Sequence, residues 1–185
     1  MKPKLLDLFC GAGGAAMGYY RAGFEVVGVD IKPQPHYPFE FHSGDALTYP
    51  LEGFDAYHAS PPCQFASLAS VVHRNNGKQY PNLIEVIRFR LVFTGKPLVI
   101  ENVPPAAGFM IEPITLCGVM FGLGVFRHRC FETNFLVDCP KHIKHNGKIG
   151  DGNYFSVAGG AGRWKSWGKV YRNVSKGTAV QWRKL

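Results

Sequence analysis

Long apolar runs are missing from this chain. Stretches such as Leu98–Ile100 and Phe131–Val137 are too short or too interrupted to cross a bilayer, so no membrane partner is expected. The start has no basic segment leading into an apolar run and a small-residue cleavage site, so a cytoplasmic location is expected. The cysteines, Cys10, Cys63, Cys117, Cys130 and Cys139, are odd in number and widely scattered, which excludes a secreted disulfide scaffold and favours reduced thiols. No heptad repeat supports a coiled coil. Acidic residues are scarce at one end: beyond position 139 only Asp151 remains, against 10 Lys and Arg, whereas residues 1–139 hold 11 basic and 12 acidic side chains. The net charge of +8 therefore resides in the last quarter, and a neutral body with a basic extension suits a polyanionic partner. A solvated basic tail would look the same.

What is present suits one α/β domain. The 185 residues are 46% hydrophobic, enough to bury a core, and 22 Gly with 13 Pro supply many turns. Lys4–Phe9 reads as a buried strand entering a glycine turn, Gly14–Ala22 as a small-residue helix closed by Gly23, and Glu25–Asp30 as a second strand. That order is a βαβ unit, which predicts a doubly wound, mostly parallel sheet of Rossmann-like type. A weak strand follows near Phe39–His42, then a strand over Asp55–Ser60 that Pro61-Pro62 stops. A helix is expected from Leu83 to Phe93, capped by Asn82, with Leu83, Val86, Ile87 and Leu91 on one face. Further strands are expected at Lys96–Asn102 and Cys130–Leu136. The α/β domain is placed at 1–139, and 140–185 reads as a loop-rich basic segment.

Four places carry chemistry. Phe9-Cys10-Gly11-Ala12-Gly13-Gly14 joins a strand to a helix, where glycines let a ligand approach the helix N–H groups; Asp30, 19 positions beyond Gly11, can accept from ribose hydroxyls. This pattern does not separate a dinucleotide from another adenosine-bearing cofactor, and a plain tight turn fits it as well. Gly44-Asp45-Ala46 offers a second polar contact or an ordinary turn. Ser60-Pro61-Pro62-Cys63-Gln64 follows a strand, and its two prolines fix the direction of Cys63, which suggests a nucleophile rather than a small buried hydrophobe. Glu101-Asn102-Val103 ends the next strand, where a carboxyl in its acid form can donate to a ring nitrogen or can simply cap the turn.

Asp7 to Gly14, Ser60 to Gln64, Glu101-Asn102-Val103 and Phe126-Arg127-His128-Arg129, in this order, resemble the motifs of the C5-cytosine-specific DNA methyltransferases. They span about two-thirds of the chain. The resemblance implies an S-adenosylmethionine-dependent methyltransferase fold and methyl transfer to C5 of cytosine in double-stranded DNA. Phe9, Cys10, Gly11, Ala12, Gly13, Gly14 and Asp30 would hold S-adenosylmethionine. Ile31 would lie against the adenine, Asp45 on its amino group, and Ala46 and Pro61 beside the cofactor. Cys63 would attack C6 of a flipped-out base, Glu101 would hold the ring at N3 and the amino group, and Arg129 with Arg127 would support base and thiolate. Ser60, Pro62, Gln64 and Asn102 would lie on the substrate side.

The resemblance also implies a target-recognition region in the place of 140–185, with Gly159–Trp164, Trp167 and Tyr171 near the DNA. A solvated basic loop fits the same text. The family's closing segment, which returns to the cofactor pocket, is not found between Val174 and Leu185. A monomer is expected, either a naturally minimal form or one that needs a lost terminal segment or a partner chain, in a bacterial or phage-infected cell. Rival readings are a DNA- or cofactor-binding homologue without turnover, an enzyme acting on a free pyrimidine nucleotide, and a nicotinamide-dependent oxidoreductase. No metal is expected: Cys139-x-x-His142-x-x-His145 offers three ligands without a partner cluster.

Overall fold

A computed structural model describes residues 1–147. The chain divides into two compact units: the first is Met1–Leu116 with His128–Lys141, and the second holds Cys117–Arg127 and, among the described residues, 142–147. The expected DNA contacts at Gly159–Trp164, Trp167 and Tyr171 lie outside the described residues, as does most of the 140–185 segment.

Five parallel strands form most of the sheet: β1 (Lys4–Leu8), β2 (Glu25–Asp30), β3 (Glu40–Ser43), β4 (Ala56–Ala59) and β5 (Leu98–Asn102). With β6 (Ile114–Cys117) and β7 (His128–Thr133) the order is β3-β2-β1-β4-β5-β7-β6, and β7 runs antiparallel to β5 with Asn102 opposite Cys130. The carboxyl ends of β1 to β5 and the amino end of β7 therefore share one edge. Central strands covered on both faces must be apolar on both. In β1, Leu5, Leu6 and Leu8 are all buried, each worth about 2 kcal/mol of transfer free energy. Leu6, Leu8, Val27 and Val29 pack with Ile84, Ile87 and Leu91, while Leu5 and Val26 pack with Ala16. Because side chains alternate along a strand, helices α1 (Gly14–Arg21) and α3 (Ile84–Val92) cover opposite faces. The sheet is doubly wound, as expected.

Some expectations shift. In α3 the buried stripe is Ile84, Ile87 and Leu91; Val86 is 47% exposed because it stands one residue, about 100° of rotation, from Ile87. The Asn82 side chain accepts the Ile84 N–H at 3.1 Å, one residue ahead of the helix's cap position at Leu83. The last long strand runs His128–Thr133 rather than Cys130–Leu136. It stops where Asn134 turns its amide onto Leu98 N–H (2.9 Å) and Lys96 carbonyl (2.9 Å). The strand β6 and the short helix α2 (Val71–Asn75) carry no periodic signal.

A polar group is sealed inside the sheet. Asp7 is fully buried opposite its register partner His58, with His58 Nδ1 2.7 Å from Asp7 Oδ1. The Tyr37 hydroxyl donates to the other oxygen at 3.3 Å. Tyr37 lies against Gly28, where any Cβ would collide with its ring. Burial, then the charge of Asp7, holds the Tyr37 hydroxyl well above the ordinary phenol range.

Candidate active site

The glycine loop leaves β1 through Phe9, a non-glycine residue with φ 57°. That left-handed turn costs about 1 kcal/mol or more, so the surroundings must hold it. They do: Ser60 Oγ donates to the Phe9 carbonyl at 3.3 Å, and Cys10 N–H donates to the Val29 carbonyl at 3.1 Å. The loop is thus fastened to β4 on one side and β2 on the other. Cys10 itself is buried, and burial followed by the charges of Asp7 and Asp30 pushes its thiol up to about 12. Its side chain serves as an anchor in the core rather than as a ligand group. Gly13 has φ 84°, and a Cβ there would stand 2.6 Å from Pro38 Cδ, so no other residue fits without displacement.

Asp30, at the end of β2, accepts the Gly11 N–H on Oδ2 (3.1 Å) and the Lys32 N–H on Oδ1 (3.0 Å). A carboxylate has about four acceptor positions, so further donors can be accommodated. Positions Gly11 and Gly14 have nothing within 4 Å of where a Cβ would stand, which leaves open space over the loop beside Asp30. Ala12 lies between them. Ile31 is 69% exposed next to Asp30. Beyond β3, Asp45 is exposed and closes its own turn by accepting the Leu47 N–H at 2.9 Å. Ala46 departs from the expected cofactor contact: it is buried in the core, and its carbonyl accepts from Arg90 of α3.

Along the same edge, Pro61-Pro62-Cys63 leaves β4 next to the end of β5. Asn102 is 2% exposed; its Nδ2 donates to the Pro61 carbonyl at 3.0 Å, and its Oδ1 accepts the Val103 N–H at 2.9 Å. With both ends of its amide engaged and no exposed surface, Asn102 is a positioning residue, not the substrate contact expected. It ties the cysteine loop to the strand that bears Glu101. The Cys63 carbonyl accepts from Ala66 (3.1 Å) and Ser67 (2.8 Å), which curls the chain into a turn, and Cys63 is half-buried. Arg74 Nη1 then binds the carbonyls of Gln64 (2.6 Å) and Ser67 (2.8 Å), and the Phe65 ring meets Phe109 edge-on at 5.4 Å. Pro62 and Gln64 are exposed beside the cysteine.

Glu101 and Arg129 form the charged part. Arg129 Nε lies 2.7 Å from Glu101 Oε1, with side chains 24% and 22% exposed. Arg129 Nη1 also donates to the His128 carbonyl at 2.7 Å, which fixes the guanidinium against its own strand. Because Glu101 pairs with Phe131, Arg129 stands diagonally across from it, within side-chain reach. The structure thus puts Arg129 on the acid. Arg127 belongs to the second unit. Tyr19 is held above the ordinary phenol range by burial and then by the charges of Asp7 and Glu101.

Sequence reasoning missed Arg74, whose partners are carbonyls and leave no trace in residue type. It missed Asp7 as a buried acid, although an acid inside an apolar strand is a visible anomaly. It also missed Glu132, buried on β7, which takes Arg88 of α3 at 2.8 Å and the Ile111 N–H at 2.9 Å.

The first unit's topology is similar to that of known enzymes. An Entamoeba histolytica methyltransferase matches with a TM-score of 0.53 and 17% identity, over 80% of this chain and 57% of that one. The fold is a methyltransferase fold. A Burkholderia thailandensis 1,6-didemethyltoxoflavin-N1-methyltransferase, solved with S-adenosylhomocysteine, matches at 0.45 and 12% over 71% of this chain and 70% of its own. A Synechocystis magnesium protoporphyrin IX methyltransferase with bound S-adenosylmethionine matches at 0.46 and 13%, over 71% and 69%. No protein-family model and no curated protein matches the sequence.

Proposed function

We propose that this chain transfers a methyl group from S-adenosylmethionine to C5 of cytosine in double-stranded DNA, with Cys63 as nucleophile. The observation that carries the reading is the Asn102–Pro61 hydrogen bond. It ties the loop of a proline-framed cysteine to the strand of an acid held by arginine, on the same edge as a glycine loop and Asp30. Methyltransferase function is supported by the fold's likeness, the DNA cytosine target by the four motifs, and a polyanion by the basic last quarter.

The residues fit the cofactor. The open space over Gly11 and Gly14 admits a ligand to the start of α1, and Asp30 is placed to accept from ribose hydroxyls. Bound there, S-adenosylmethionine would supply an electrophilic methyl group on a sulfonium. The rest is the work of this chain's own side chains. The Cys63 thiolate would add to C6 of the extruded base, breaking the C5–C6 double bond and sending its electrons into the ring. Glu101, steadied by Arg129, would hold N3 and the amino group and share a proton at N3 as charge arrives. C5 then carries the electron pair that takes the methyl group. Loss of the C5 proton to a base and departure of the Cys63 sulfur restore the double bond. Flanking Ser60, Pro62 and Gln64 would line the base's entry, while Asn102 keeps Cys63 in line.

An oligonucleotide bearing 5-fluorocytosine tests this directly, because fluorine cannot leave as a proton. With methyl donor present, the wild-type chain is expected to become covalently trapped, and Cys63→Ala to give neither adduct nor methylated DNA while still retaining DNA. Absence of the adduct with wild type, or its persistence in Cys63→Ala, overturns the assignment.

A further inference from the structure

The second unit contains a convergence of soft ligands that the methyl-transfer reading leaves unused. Cys117, His142 and His145 each bring one ligand atom to the same place, all within 4.8 Å of one another. Cys117 is buried at the start of a tight turn, Gly118–Phe121, where its N–H donates to Met120 Sδ at 3.3 Å. Gly118 makes that turn possible, since a Cβ there would stand 2.6 Å from the Val125 carbonyl. His142 and His145 are spaced three residues apart, with ring centroids 4.8 Å apart, and Phe126 packs edge-on against His145 at 3.9 Å.

The decisive distance is Cys117 Sγ to His145 Nε2, 3.5 Å. In a tetrahedral zinc site, with Zn–S near 2.3 Å and Zn–N near 2.0–2.1 Å, neighbouring sulfur and nitrogen ligands stand about 3.5 Å apart. The pair is therefore spaced as two ligands of one ion would be. A simple S–H···N hydrogen bond has a similar length, but it does not require His142 to converge as well. One thiolate with imidazoles suits Zn²⁺, a borderline-soft ion without geometric demands of its own. The sequence triplet that suggested zinc began with Cys139; that residue is exposed, with its sulfur on the Pro140 carbonyl, and the cluster instead recruits Cys117 from the distant turn.

We propose that Cys117, His142 and His145 bind one Zn²⁺ ion, with the remaining coordination position taken by water or a further donor. On binding, Cys117 loses its proton to solvent and the sulfur lone pair goes to the metal; no electron is transferred. The ion would tie the 117–127 turn to residues 142–147, so that metal binding couples to the folding of that pair of segments.

Cobalt(II) added to the metal-stripped full chain is the probe. A thiolate-to-cobalt charge-transfer band with tetrahedral ligand-field bands, displaced by an equimolar amount of zinc, is expected. Cys117→Ser should abolish the charge-transfer band, and His142→Ala should weaken cobalt binding at least about tenfold, since even the outer-shell partners of a metal ligand are worth about 10–100-fold. Cys139→Ser should leave the spectrum unchanged. Should Cys117→Ser fail to fold, the exposed His142→Ala and Cys139→Ser variants still decide the matter. No cobalt spectrum from the wild-type chain, or a band lost in Cys139→Ser and retained in His142→Ala, overturns the proposal.

Discussion

Two acid–base pairs lie across neighbouring strands of one sheet, with the same 2.7 Å separation, and they do different work. Asp7 and His58 join β1 to β4 with side chains 0% and 3% exposed. Glu101 and Arg129 join β5 to β7 at 22% and 24%. The first pair is closed off by Tyr37 and can exchange nothing with solvent or substrate. The second stands where the parallel strands end and retains surface for a ligand. The two acids lie at the same depth, each one residue from the end of its strand, so the chemistry of a pair is set by what covers it: Tyr37 closes off Asp7, whereas Glu101 keeps exposed surface.

The contrast can be broken by removing each acid in turn. Asp7→Ala leaves His58 and Tyr37 buried without their partner and is expected to cost about 3–5 kcal/mol in chemical denaturation. The proposed methyl-transfer activity per folded molecule should barely change. Glu101→Gln should do the reverse: a loss of about 10²–10⁴-fold in kcat, with stability shifted by less than about 1 kcal/mol. An equal effect of both substitutions on both measurements would erase the distinction.

Asn102→Ala sharpens it further, because that residue touches both functions. Leaving the Pro61 carbonyl without its donor should cost about 1–3 kcal/mol of stability and lower kcat more than it raises KM for the proposed DNA substrate. The smallest effect concerns Cys10. Its thiol is raised from an ordinary 9.0 to about 12, so the folded chain holds that proton more tightly than the unfolded one. The associated stabilisation is whole below pH 9 and is lost as pH climbs toward 12. Denaturation free energies across that window should fall more steeply for wild type than for Cys10→Ala.

The parallel part of the fold was legible because its strands other than β3 are short apolar runs followed closely by glycine or proline, as Lys4–Phe9 and Asp55–Ser60 are. The tail of the sheet was not. Ile114–Cys117 is four residues long, too short for its pattern to mark a strand, and the end of β7 is decided by the Asn134 side chain reaching Leu98 and Lys96, more than thirty positions back. In the candidate site, the residues expected to meet a ligand carry a signal in residue type and in the family resemblance, whereas those that aim them carry none. Asn102 looks like a surface polar residue until its burial is known, and Arg74 acts on the carbonyls of Gln64 and Ser67. Residue type announces chemistry; it does not announce who holds the reactive group still.

The reversed direction of β7 has a consequence for how the protein is made. During synthesis the glycine loop, Asp30, Cys63 and Glu101 leave the ribosome in order, but Arg129 follows only after a detour through residues 103–127. Until that last strand slots in, against the run of its neighbour, the acid is without its cation. In the proposed site, the glycine loop, Asp30, Cys63 and Glu101 are thus all synthesised before the strand that brings the acid its arginine.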